Sequence, residues 1–241
     1  MRPLARWTFG CCNSNGEESL RLSVRSFKRF HPEFDQIICY NNVSDKQLEM
    51  LKRIGVNLHC QTEDECPCKL VDVSKGFGPD WSMPGWGWKL CPLRLRPGAK
   101  ELWVDNDIVF RSNLACVDTW LSSHGVSIIS SSHKCAYGDM VLAPEEPVCA
   151  GFFGVPETSE FVEKVKVYTD SYGEKEMGYW DEQAIVASVV LSMSHMIIPM
   201  SELMIVKELS VPFPPALHFI GLNRTEQHLS WNQYKCYTTL M

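Results

Sequence analysis

The 241-residue chain contains no run of about 18 apolar residues and no apolar stretch of signal-peptide length near its start, so nothing in it reads as a membrane span or an export signal. A soluble, cytoplasmic protein is the expectation. Basic residues do not dominate either: 23 Lys and Arg stand against 29 Asp and Glu, and the net charge of −6 argues against a nucleic-acid groove. Cysteine is plentiful at 11, yet no pair has the C-x-x-C spacing of a structural zinc site. The close pairs are Cys11-Cys12 and Cys66-Pro67-Cys68. An odd count, with Cys39, Cys60, Cys91 and Cys149 inside apolar segments, reads as reduced and buried thiols of a cytosol-like compartment. Repeats and low-complexity tracts are absent, and no Gly-rich phosphate loop follows the first apolar strand.

What the chain does have is a core. A hydrophobic content of 45% over this length suffices for one large α/β domain spanning 1–241. Strands are expected over 6–12, 34–40 and 56–60, alternating with helices over 17–30 and from Ser44 to Gly55. In the second helix Ser44 is the N-cap, Gln47 its capping-box partner and Gly55 the stop. Residues 61–87 form a long loop rich in Gly, Pro and Trp, and a helical segment follows from Trp88 to Leu95. Further on, helices are expected over 114–122, 159–172 and 181–191, and strands over 126–130 and 148–155. Pro199, Pro212, Pro214 and Pro215 cut the remainder into short pieces, one of which, 216–220, carries a lone His218.

The most informative stretch is Glu101 to Phe110, where Asp105 and Asp107 lie one residue apart at the end of an apolar run. Strand alternation puts both on one face, from which a bend aims them at one hard divalent cation. Asp-Asn-Asp is equally good turn chemistry.

Taken in order, Thr8-Phe9-Gly10, Trp88-Lys89-Leu90, Leu102 to Asp107, Cys149-Ala150-Gly151-Phe152-Phe153, Asp181-Glu182-Gln183 and His218-Phe219-Ile220-Gly221 with Arg224 resemble nucleotide-sugar glycosyltransferases of the GT-A fold. The glycogenin and bacterial galactosyltransferase type, glycosyltransferase family eight, is most similar, and the resemblance runs over 6–224. It implies an α/β, Rossmann-like fold with a mixed central sheet flanked by helices. It further implies a nucleotide-binding half over about 1–110 and an acceptor-side half over about 111–241.

The resemblance implies an activity as well: metal-dependent transfer of a sugar from a nucleoside diphosphate sugar, a UDP-sugar by expectation, with retention. Asp105, Asp107 and His218 would hold Mn²⁺ or Mg²⁺. Arg224 stands where the family has a diphosphate-binding lysine, and Lys89 where it places a basic residue facing the donor. Thr8, Gly10 and Asn13 would hold the nucleoside with Asn41 nearby, while Asn106, Ala150 and Gly151 would border the donor. Asp181 would bind donor hydroxyls and Glu182 would lie near the anomeric carbon, or Glu182 and Gln183 would take those roles. Cys149 replaces the family's asparagine, which removes a sugar contact. The acceptor, a glycan, a protein or a small molecule, would meet 66–87 and 133–147, where Trp81, Trp86 and Trp88 either stack on a sugar or serve the core.

Two rival readings come from other classes. Asp105-x-Asp107-x-Val109 also fits the signature of haloacid-dehalogenase-type phosphatases, although that fold normally starts with this strand and the later acidic pair is reduced to Asp139. The other rival is a catalytically silent nucleotide-sugar-binding domain. A metal-dependent nucleotidyltransferase is disfavoured by the missing phosphate loop.

Overall fold

Strand β1, Leu4–Phe9, is the axis of the molecule, with Leu4, Ala5, Trp7 and Phe9 all buried. The computed structural model describes residues 1–10, 14–65, 86–138, 143–172, 180–206 and 213–220. β1 starts earlier than its composition suggests, because parallel pairing with β2 (Asp35–Tyr40) begins at Leu4 opposite Asp35 and ends at Phe9 opposite Tyr40. Between them α1, Ser14–Phe30, lays Leu20, Val24 and Phe27 onto the sheet at the four-and-three spacing of one helix face. Helix α2, Asp45–Ile54, has the expected capping box: Gln47 N–H donates to Ser44 Oγ and the Gln47 side chain accepts from Ser44 N–H. It stops at Gly55, whose φ of 75° lies in the left-handed region that favours glycine. β3, Asn57–Cys60, then adds parallel to β2.

The later strands complete one mixed sheet of seven. β4 (Glu101–Val104), β6 (Ser127–Ser131), β7 (Val148–Val155) and β8 (His195–Ile198) join in the order β3-β2-β1-β4-β7-β6-β8. β7 runs antiparallel to both neighbours and the other pairs are parallel. A second sheet of three strands is β5 (Ile108–Phe110), β10 (Ala216–His218) and β9 (Leu203–Ile205), in that order. β8 and β9 had no clear signature in the proline-interrupted tail; pairing with β6 and β10 makes them strands.

Alternation along β4 divides the core into two layers. Leu102 and Val104 face α1 and α3 (Ala115–Ser122), whereas Trp103 faces α4 (Phe161–Tyr172) and α5 (Asp181–Leu191). Phe152 and Phe153 of β7 divide in the same way, and the Phe153 ring stacks on Trp103 with centroids 4.7 Å apart. Both layers being covered explains why β4 and β7 are buried at every position.

One expected helix is absent. The segment from Trp88 to Leu95 is helical only as a 3-10 turn, Trp86–Leu90, and ends before Pro92, which has no N–H to continue a ladder. What fixes the segment is ionic. Arg6 and Arg94 both pair with the fully buried Glu101, at 3.0 and 3.2 Å. Arg6 also donates to the carbonyls of Cys91 and Pro92, and Glu101 accepts from Leu95 N–H and Arg96 N–H. The thiol expectation needs correction here too: Cys91 is disulfide-bonded, whereas Cys39, Cys60, Cys116, Cys135 and Cys149 are free. That bond removes the support that reduced cysteines lent to a cytoplasmic location. No helix among the described residues is long and apolar enough to cross a membrane.

Candidate functional site

The apolar run of β4 ends at Val104, and Asp105-Asn106-Asp107 forms the turn into β5. Turn chemistry and a carboxylate cluster therefore coincide, and it is the turn rather than strand alternation that turns both aspartates to one place. The turn is tied down from several sides. Asp105 N–H donates to the Gly151 carbonyl at 2.8 Å, Asn106 Nδ2 donates to the Thr8 carbonyl at 2.7 Å, and Ser23 Oγ of α1 donates to the Asp105 carbonyl at 3.3 Å. Ser23 also accepts from Trp7 Nε1, and Ser26 Oγ accepts from Phe110 N–H just beyond the turn. Neither serine carries a sequence signal, since both are ordinary residues of an amphipathic helix until the fold sets them beside the turn.

His218 comes from far along the chain. β10 pairs antiparallel with β5 so that His218 lies opposite Ile108, and Phe219 N–H donates to the Asp107 carbonyl at 2.9 Å. The imidazole is buried, with Nε2 3.1 Å from Asp107 Oδ1 and 3.6 Å from Asp105 Oδ2. Ligand atoms of Asp105, Asp107 and His218 all lie within 4.8 Å of one another. Two carboxylate oxygens and an imidazole nitrogen, with 34% of the Asp105 side chain and 21% of that of Asp107 open to solvent, suit a divalent cation such as Mn²⁺. A second group, His31, Glu33 and Asp118, is equally close, but the His31 ring packs against Phe27 at 4.8 Å and its Nδ1 meets Glu33. It reads as a core histidine.

Lys89 reaches the same place from the 3-10 turn. Its Nζ is 2.7 Å from Asp105 Oδ1 and 3.4 Å from Glu182 Oε1, and Trp103 Nε1 holds its backbone carbonyl at 3.1 Å. Glu182 opens α5, buried at 6% exposure. Burial pushes its carboxyl up to about 7; Lys89 opposes the rise and Asp105 adds to it. Burial alone would disfavour the His218 imidazolium, yet Asp107 outweighs it and holds His218 well above its ordinary value. Burial works against the Lys89 ammonium in the same manner, and Asp105 and Glu182 reverse the effect. Lys89 and His218 thus set positive charge against the aspartate pair.

Glycine matters at two points of this site. A Cβ on Gly151 would stand 2.2 Å from His218 Cε1 and 2.8 Å from Asp105 Oδ2, so the glycine lets the β7 backbone come close to these two side chains. A Cβ on Gly138 would stand 2.3 Å from Asp181 Oδ1, and Gly138 has a positive φ. Asp181 is buried beside that loop, and Gln183 Nε2 donates to the Ala136 carbonyl, so Gln183 braces the loop. Thr8 and the buried Gly10 lie at the carboxyl end of β1. The buried Asn41 donates through Nδ2 to Gln61, which in turn holds the Trp88 carbonyl. Asn13, Arg224, Asp139, Trp81 and most of 66–87 lie outside the described residues.

No family model and no curated protein sequence matches the chain. Solved structures do. An active-site Gln-to-Glu mutant of LgtC superposes with a TM-score of 0.57 at 12% identity, over 90% of this chain and 87% of that one. Mouse xyloside xylosyltransferase 1 gives 0.56 at 10%, over 91% and 98%. The glycosyltransferase GlyE of Streptococcus pneumoniae TIGR4 gives 0.55 at 12%, over 98% of this chain and 63% of that one. LgtC has also been solved as a galactosyltransferase with donor and acceptor sugar analogs. At such identities the likeness establishes the fold, and the fold is GT-A.

Proposed function

We propose that the protein is a metal-dependent glycosyltransferase that moves a sugar from a UDP-sugar to an acceptor with retention, and that 1–241 forms one catalytic domain. The observation that carries the reading is the convergence of Asp105, Asp107, His218, Lys89 and Glu182, from four separate segments, at the carboxyl end of β4 in a GT-A fold. Asp105, Asp107 and His218 would hold Mn²⁺ or Mg²⁺, which supplies charge neutralisation for the departing nucleoside diphosphate. Lys89 carries a fixed positive charge between Asp105 and Glu182 and is placed to meet a diphosphate oxygen once Asp105 is otherwise engaged. Arg224 would add a bidentate phosphate contact. Thr8, Gly10, Asn13 and Asn106 would border the nucleoside.

Glycosyl transfer from a phosphate needs no acid for the leaving group, but the sugar carbon becomes electron-poor. Glu182 is the carboxylate suited to that charge, whether by electrostatic stabilisation or by a transient covalent bond, and Asp181 would bind donor hydroxyls. The aspartate-nucleophile phosphatase reading loses its footing, because the fold is GT-A and Asp105 is held by Lys89. The test is a donor screen with Mn²⁺, following nucleoside diphosphate release from UDP- and GDP-sugars by mass spectrometry. Release of UDP that depends on Mn²⁺ and is lost in Asp105→Asn is the expected result. Vigorous hydrolysis of a simple phosphomonoester without UDP release would overturn the proposal.

A further inference from the structure

While His218 Nε2 faces the two aspartates, its other ring nitrogen faces sulfur. Cys149 Sγ lies 3.9 Å from His218 Nδ1, buried on β7. The sulfur already accepts the Gly151 N–H at 3.4 Å, which fixes the thiol beside the ring. The backbone of Cys149 is held in turn, since its carbonyl accepts from the buried Ser130 Oγ at 2.8 Å. On the Gly151 side the ring has no slack, because a Cβ there would come to 2.2 Å from Cε1. The imidazole is therefore bounded by a glycine backbone and backed by a thiol.

An imidazole can give a lone pair to a cation through Nε2 only if its neutral form keeps its proton on Nδ1, and that proton needs an acceptor. Cys149 Sγ is the acceptor that the structure offers. We infer that Cys149 is a positioning residue for the cation centre, its sulfur taking the Nδ1–H of His218 and so fixing both the tautomer and the ring orientation. The inference rests on the reading of Asp105, Asp107 and His218 as a divalent-cation site. The position at which an asparagine was expected to reach the donor sugar serves the histidine instead.

The test uses the full chain and Mn²⁺ alone as the probe. Cys149→Ala deletes the acceptor, and Cys149→Ser shrinks the side chain but keeps one. Mn²⁺ affinity should fall about tenfold or more in Cys149→Ala, the range usual for loss of an outer partner of a metal-binding histidine, and stay near the wild-type value in Cys149→Ser. In metal-free protein, where His218 carries a proton on both ring nitrogens, long-range ¹H–¹⁵N NMR should show a hydrogen-bonded Nδ1–H in wild type and Cys149→Ser, and an Nδ1–H without that hydrogen-bond shift in Cys149→Ala. Cys149→Val, which keeps the volume without an acceptor, replaces Cys149→Ala if the latter does not fold. Unchanged Mn²⁺ affinity in the acceptor-free variant, or equal losses in both variants with His218 signals unaltered, overturns the inference. If wild type binds no Mn²⁺, the cation reading fails by itself, and the NMR comparison still decides whether Cys149 fixes the ring.

Discussion

Replacing Gly151 with alanine tests the site at its tightest point. The added methyl would stand 2.2 Å from His218 Cε1, and the ring would have to retreat by more than an ångström to reach ordinary contact at 3.4 Å. Metal ligation tolerates errors of only about 0.2 Å, so a retreat of that size takes His218 out of the ligand set. Loss of an outer partner already costs about 10- to 100-fold in affinity, and loss of a ligand should cost at least the upper end, about 2.7 kcal/mol. Overpacking in the strand should also lower stability by about 1–3 kcal/mol. Gly154→Ala is the control: it pairs with Leu102 rather than lying against the turn, and its methyl would meet Trp120 at 2.8 Å and not Asp105 or His218, so it should destabilise to a similar degree and leave Mn²⁺ binding alone. Free Mn²⁺ followed by electron paramagnetic resonance gives the affinities and thermal melts give the stabilities. If Gly151→Ala binds Mn²⁺ as wild type does, the placement of His218 in the cation centre is refuted.

Because His218 is held protonated beside Asp107, a cation must displace a proton from Nε2; Mn²⁺ affinity should rise about tenfold per pH unit until the raised pKa of His218 is passed, as isothermal titration across pH would record. Glu182, at about 7, is ionised only above that value, so turnover should fall as pH drops through 7, and Glu182→Gln should remove that limb of the profile with UDP affinity kept. Glu101→Ala would strand two buried guanidinium groups and should cost about 3–5 kcal/mol in denaturant unfolding, with Glu101→Gln less severe. Arg224→Ala should weaken UDP binding by about one to two orders of magnitude even at saturating Mn²⁺, whereas the His218→Ala defect should shrink as Mn²⁺ rises; equal behaviour of the two in calorimetry would separate Arg224 from the diphosphate site.

Local chemistry alone determined a good part of this protein. The capping box of Ser44 and Gln47, the stop at Gly55, the strand over Val148 to Val155 and the helix from Asp181 to Leu191 follow from spacing and end-group preferences that act within a few residues. The Asp105 and Asp107 pair and His218 were legible as residue types in a telling order. Tertiary structure decided what those types do. Asp-Asn-Asp is a turn by itself, and it becomes part of a carboxylate and imidazole cluster only because β10 returns antiparallel to β5 and sets His218 against it. Lys89 reads as a helix charge until the Arg6 and Glu101 pair pins the chain after it to the sheet. Cys149 reads as a gap in a motif until His218 arrives behind it, and β8 and β9 are strands only because partners accept them. The physical reason is common to all of these. Spacing along the chain encodes short-range preference, whereas hydrogen bonds and ion pairs between distant segments exist only after the hydrophobic layers have brought those segments together.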